Sequence, residues 1–75
     1  MGSTSNPIRN RIRVLRFHQG EMTQRALADA VGVSGLSMKG VEGVKYAPSL
    51  VVAFRIAAVF GVPFEEVFQY APEND

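Results

Sequence analysis

The chain has 75 residues, with 8 Lys and Arg against 7 Asp and Glu and no cysteine. That length supports one small domain near the lower limit for a self-sufficient core, and the lack of cysteine excludes disulfide staples, thiolate catalysis and cysteine-based zinc sites while fitting a reducing cytosol. All the basic residues precede Phe64, accompanied only by Glu21, Asp29 and Glu42, whereas the remainder carries Glu65, Glu66, Glu73 and Asp75 alone; a basic body of this kind is compatible with a face that contacts phosphate.

From the N-terminus, MGSTSNP lacks the charged-then-apolar layout of a signal and reads as a disordered lead or an expression remnant, residues 1–6. Five helices and no strand are predicted, an all-α domain over 7–70. Asn6 and Pro7 open the first helix, as cap and first helical residue. Ile8, Ile12 and Leu15 form its i, i+4, i+7 stripe, and Arg9, Arg11, Arg13 and Arg16 fill much of the rest before Gln19-Gly20 ends it.

Thr23 caps a second helix reaching about Val31, with Met22 and Leu27 placed as a hydrophobic staple. Gly32 provides the left-handed stop, and Ser34 caps a third helix with Val33 and Met38 as its staple. Tyr46-Ala47-Pro48 breaks the chain. Ser49 then caps a fourth helix whose Leu50, Ala53, Phe54, Ala57 and Phe60 share one face. The apolar run over this helix is 11 residues long and interrupted by Arg55, far short of the roughly 20 that span a bilayer, so a cytoplasmic protein is expected. Gly61 stops the fourth helix. Val62-Pro63 starts a short fifth, with Glu65 and Glu66 in its first turn, where the helix dipole favours them; residues 71–75 form an acidic tail.

The informative pattern is Gln24-x3-Ala28-x3-Gly32-x5-Met38-x2-Val41. Ala28 is small where the third helix crosses the second, Gly32 gives the tight turn its positive φ, and Leu27, Val31, Val33, Met38 and Val41 fill the angle between the helices. Such a unit presents its second helix outward.

With "NRIRVLR", "MTQRALADAVGVS", "VEGVKYAPSL" and "AFRIAAVFGVPFEEVF", the chain resembles the Cro and phage-repressor-like helix-turn-helix regulators, the XRE family, over about residues 8–70. The resemblance implies a five-helix, lambda-repressor-like domain that binds double-stranded operator DNA as a two-fold homodimer, with the third helix in the major groove. It implies that Gln24 holds a phosphate, that Lys45 in the loop after the third helix contacts the DNA backbone, and that Arg16 and Glu42 form a structural ion pair tying the first helix to the third while leaving arginine nitrogens near a phosphate, so that Arg16 joins Gln24 and Lys45 as a phosphate holder. Solvated first-turn and loop residues are the competing readings of Gln24 and Lys45.

The third helix departs from the family. Its outward face is expected to hold Ser34, Gly35, Leu36, Lys39, Gly40 and Gly43, opposite Met38 and Val41, where relatives carry arginine, glutamine, asparagine or threonine. Bidentate readout of guanine needs Arg or Lys, and of adenine Asn or Gln; on this face only Lys39 qualifies, with Leu36 able to touch a thymine methyl. Glu42-Gly43-Val44 replaces the family's glutamate-arginine-glycine and places a β-branched residue where positive φ is needed, so an altered turn is expected. Val51 and Ala58 lie outside the fourth helix's core stripe and suggest an interface, against scattered single apolar residues that need no explanation.

The expected DNA-binding set is Gln24, Arg25, Ser34, Gly35, Leu36, Ser37, Lys39, Gly40 and Lys45, and the expected dimer interface is Val51, Ala58, Phe64, Val67, Phe68 and Tyr70. His18 has no second histidine or cysteine beside it in the sequence, so no metal is expected. No nucleophile, base and orienting group can be assembled, so no enzyme and no cofactor are expected. The competing class is an assembly module, natural or engineered, on a helix-turn-helix framework that has lost its reading face.

Overall fold

Asn10 decides where the first helix begins. Its Oδ1 accepts from the backbone N–H of Ile12 at 3.1 Å, and α1 spans Ile12–His18 instead of opening at Pro7. The computed structural model describes residues 6–72. Ahead of α1, Ile8–Asn10 forms a short strand, β1, antiparallel to β2 at Phe68–Tyr70, with Ile8 opposite Tyr70, Arg9 opposite Gln69 and Asn10 opposite Phe68.

The all-α expectation is therefore corrected: among the described residues, five helices accompany a two-stranded sheet. Asn6, assigned to the lead by sequence, is anchored. Its Oδ1 accepts from Ile8 N–H at 2.8 Å and its Nδ2 donates to the Val44 carbonyl at 3.2 Å, a local side-chain bond that competes with helix. Ala71 N–H donates to the Pro7 carbonyl at 2.7 Å and Arg11 N–H to that of Val67 at 2.9 Å, extending the pairing at both ends. Of the lead and tail read from sequence, residues 1–5 and 73–75 lie outside the described residues.

The other helices are α2 (Gln24–Val31), α3 (Gly35–Glu42), α4 (Leu50–Phe60) and α5 (Phe64–Val67). Thr23, Ser34 and Ser49 each accept from a backbone N–H of the first turn, and Gly32 and Gly61 close α2 and α4 with φ of 82° and 67°, as the sequence predicts. α5 is cut to a single turn because Phe68 leaves it with extended dihedrals and enters β2.

The core gathers Ile12, Leu27, Ala28, Val31, Met38 and Val41 from the first three helices, with Ala53, Ile56, Ala57 and Phe60 of α4 and Val67 and Phe68 after it. The predicted α4 face is thus rotated. Ile56 replaces Leu50 and Phe54, which are exposed, because Ala53, Ile56, Ala57 and Phe60 give the i, i+3, i+4, i+7 stripe that meets the core. Among the described residues no helix is long and apolar enough to cross a membrane.

Candidate nucleic-acid interface

α3 is held against the body from three directions. Arg16, on α1, donates to Glu42 at the end of α3 through Nε at 3.1 Å and Nη2 at 2.7 Å, and its Nη1 donates to the Met22 carbonyl at 2.7 Å. Three of the five guanidinium N–H groups are thereby engaged within the protein and the side chain is only 16% exposed, so Arg16 serves first to position α3. Asn10 Nδ2 donates to the Val41 carbonyl at 3.1 Å, satisfying one of the acceptors that a helix C-terminus leaves open. From the other side, Lys45 N–H donates to the Gly40 carbonyl at 2.9 Å and folds the following loop back along the helix.

That loop corrects the outward face read from sequence. Gly40 is buried: a Cβ there would stand 2.5 Å from the Tyr46 ring, whose hydroxyl donates to the Ser37 carbonyl at 3.3 Å. The missing side chain at Gly40 is the seat of an aromatic ring, not a lost reading position. Nor is the turn after α3 rebuilt. Val44 adopts φ of 62°, the left-handed conformation that β-branched residues strongly resist.

The remaining face is sparse. Ser34 spends its hydroxyl oxygen accepting from Ser37 N–H, Gly35 and Ser37 are half-buried, and Leu36 is 79% exposed. Lys39 and Lys45 are exposed, Gln24 is the half-buried first residue of α2, and Arg25 beside it is exposed. Gln24, Lys39 and Lys45 come together with Asn10, Arg11 and Arg13 around an open groove of about 410 Å³. Sequence reasoning left Arg11 and Arg13 among the general surface of the first helix; their signal was proximity to the end of α3, which spacing along one helix does not reveal. Glu42, the carboxylate in the groove lining, is bound by Arg16, and Arg11 meets Glu66 at 3.5 Å. Arg13, Lys39 and Lys45 have no carboxylate partner among the described residues.

Of the residues expected at a dimer interface, Val51 is 58% exposed and Tyr70 72%, while Ala58 is exposed and Phe64 half-buried. Val67 and Phe68 sit in the core and present little to a partner, a correction to the expected interface: their apolar faces are consumed where α5 and β2 pack on the body. Leu50 and Phe54 join the exposed surface instead, at 69% and 55%. The Phe64 ring lies between those of Phe54 and Phe68, with centroids 4.8 and 5.3 Å away. His18 meets the Phe17 ring edge-on at 6.0 Å, and no group of three or more His, Asp or Glu among the described residues is arranged to hold a metal.

No protein-family model matches the chain. It is similar to an uncharacterized HTH-type transcriptional regulator of Methanocaldococcus jannaschii, 43% identical over 71% of this chain and 80% of that protein. A second such regulator, from Archaeoglobus fulgidus, is 42% identical over 89% of this chain and 94% of the relative; a third, from Bacillus subtilis, is 33% identical over 89% of this chain and 100% of the relative. These relatives are transcriptional regulators and not enzymes. In three dimensions the chain resembles a "putative DNA-binding protein" from Bacteroides fragilis with a TM-score of 0.71 and 26% identity, covering 83% of this chain and 98% of that one.

Proposed function

The chain belongs to the HTH-type transcriptional regulators, and on that premise we propose that it binds double-stranded DNA in the Cro and phage-repressor-like (XRE) manner, as a cytoplasmic homodimer with α3 in the major groove of each half-site. The observation that carries this reading is the groove beside α3, where Arg13, Lys39 and Lys45 lack carboxylate partners among the described residues while Arg16 neutralises Glu42. Gln24, Arg13 and Lys45 hold phosphates and fix the register; Arg25, Leu36 and Lys39 approach base edges. Regulation then works by occupancy, since a bound dimer blocks or guides polymerase.

Titration of a mixed duplex pool, followed by fluorescence anisotropy at several salt concentrations, tests this. Several phosphate contacts give an affinity that falls steeply with salt, with a log–log slope of about −0.9 per phosphate neutralised. Flat anisotropy at micromolar protein and low salt would instead select the second reading, a self-association or protein-interaction module without sequence-specific DNA reading, which the sparse α3 face and the exposed Leu36 favour.

A further inference from the structure

Gly35 opens α3, at the end of the helix that meets base edges when such a helix lies in the major groove, and it has no side chain to read with. The space above it is occupied from elsewhere. A Cβ at Gly35 would stand 3.9 Å from Cδ of Arg25, the second residue of α2, with no other group outside its own surroundings within 4 Å. The arginine stem therefore lies over the start of the recognition helix. Arg25 is exposed, and it forms no ion pair with a carboxylate among the described residues.

The neighbouring positions leave this role open. Ser34 is committed as a cap, Gly40 is sealed by Tyr46, and Leu36 has no polar group. Lys39 is the one cation on α3 itself, a turn further along than Gly35, and a lysine is a point charge without the planar fork of an arginine.

We propose that Arg25 is the guanine-reading residue of this protein, supplied by α2 through the notch that Gly35 leaves in α3. Its guanidinium donates to N7 and O6 of one guanine in each half-site, and Leu36 packs against the C5-methyl of a nearby thymine. This inference rests on the DNA-binding reading above. Gly35 is the condition for it: an alanine Cβ at 3.9 Å is an ordinary contact, but a leucine side chain would occupy the path of the arginine stem.

Selection from a randomised duplex pool, sequenced for the wild type and for Arg25→Ala, Arg25→Gln and Gly35→Leu, tests the assignment; anisotropy at several salt concentrations is run alongside and circular dichroism verifies folding. The wild type is expected to prefer guanine at one position per half-site. Arg25→Ala lowers that preference about 5- to 150-fold and leaves the other positions unchanged. Arg25→Gln moves it to adenine, whose N6 and N7 glutamine matches. Gly35→Leu lowers the guanine preference while Arg25 is still present. A uniform loss on Arg25→Ala, with the salt slope reduced by about one, would make Arg25 a phosphate contact and overturn the proposal while the DNA-binding reading stands. A steep wild-type salt slope without any guanine preference has the same meaning. A wild type that does not bind DNA overturns both.

Discussion

Tyr46 lies on Gly40, its ring atoms 2.5 Å from where a Cβ would stand, and its hydroxyl donates to Ser37 one turn earlier on the same helix. The glycine and the tyrosine are therefore one packing unit. Alanine at position 40 gains about 1 kcal/mol of helix propensity but displaces the far end of the ring. Gly40→Ala in the wild-type background is expected to leave stability near neutral, while the same change in a Tyr46→Ala background stabilises by about 1 kcal/mol. Urea unfolding of the four proteins in this cycle measures the coupling. An equal effect in both backgrounds would show that the ring does not occupy that space.

The Arg16–Glu42 pair is the tie between α1 and the end of α3, with side-chain exposures of 16% and 9%. Removing one partner leaves a largely covered charge without compensation. Glu42→Gln, which keeps the shape and deletes the charge, is expected to destabilise the fold by about 2–3 kcal/mol in urea unfolding. A change within about 0.5 kcal/mol, the range of ordinary surface substitutions, would mean that the pair is effectively solvated.

How much of this was legible in the sequence follows the range of the interaction. Thr23, Ser34 and Ser49 as caps and Gly32 and Gly61 as stops are settled within three or four residues, and the structure has them in those roles. The β1–β2 pairing joins Ile8 to Tyr70 across almost the whole chain through strands of three residues each; no window of sequence contains both, and a strand that short has too few alternations to show period two. Asn6 and Asn10 make the same local bond, Oδ1 accepting from the N–H two residues on, and what delays the first helix past Asn10 is the pairing of residues 8–10 with β2. Gly40 was misplaced for a related reason: helical geometry gives the direction of a missing side chain but not the tyrosine folding back over it from the next loop. On the candidate site, Gln24 and Lys45 come from the family resemblance and Lys39 from the outward face of the third helix, whereas Arg13 beside them emerges only when α1 is placed next to α3.

Val44 contributes strain that can be removed. It holds φ of 62°, a conformation that costs a residue bearing a Cβ roughly 1–2 kcal/mol, and it is not among the hydrophobics packed against the core. Val44→Gly relieves the strain and gives back part of it as unfolded-chain entropy, so a net gain of about 0.5–1 kcal/mol is expected. Val44→Asn, which tolerates the same region with less entropy loss, should gain at least as much. Thermal unfolding reads both, and destabilisation by both variants would refute the strain at this turn.

Arg13 faces the groove with Lys39 and Lys45 and has no carboxylate partner among the described residues. A phosphate contact carries no sequence information. Arg13→Ala is therefore expected to weaken binding by the same factor on every duplex and to lower the slope of log affinity against log salt by about one, with Lys45→Ala behaving alike. Unchanged slopes in both variants would leave these residues as solvated surface.

Val51, Phe54 and Ala58 stand at i, i+3 and i+7 along α4 and are all exposed, next to Leu50, which lines a surface hollow together with Tyr70. Single apolar residues on a surface are ordinary, but a stripe at helical spacing next to a further large side chain forms a contiguous patch of the kind that marks an interface. A two-fold contact through it would bury the same residues on both copies, so one acidic substitution enters the interface twice, and the two charges face each other where water is excluded. Val51→Glu is the appropriate probe because Val51 lies outside the core, whereas Phe54 also packs on Phe64. In sedimentation velocity the wild type is expected to be a dimer and Val51→Glu a monomer with an unchanged circular dichroism spectrum. Affinity for a two-half-site duplex falls accordingly, since each half-site then binds without help from its neighbour. A wild type that remains monomeric at high concentration would remove the dimer from the proposal and leave α4 with an apolar surface used for something else.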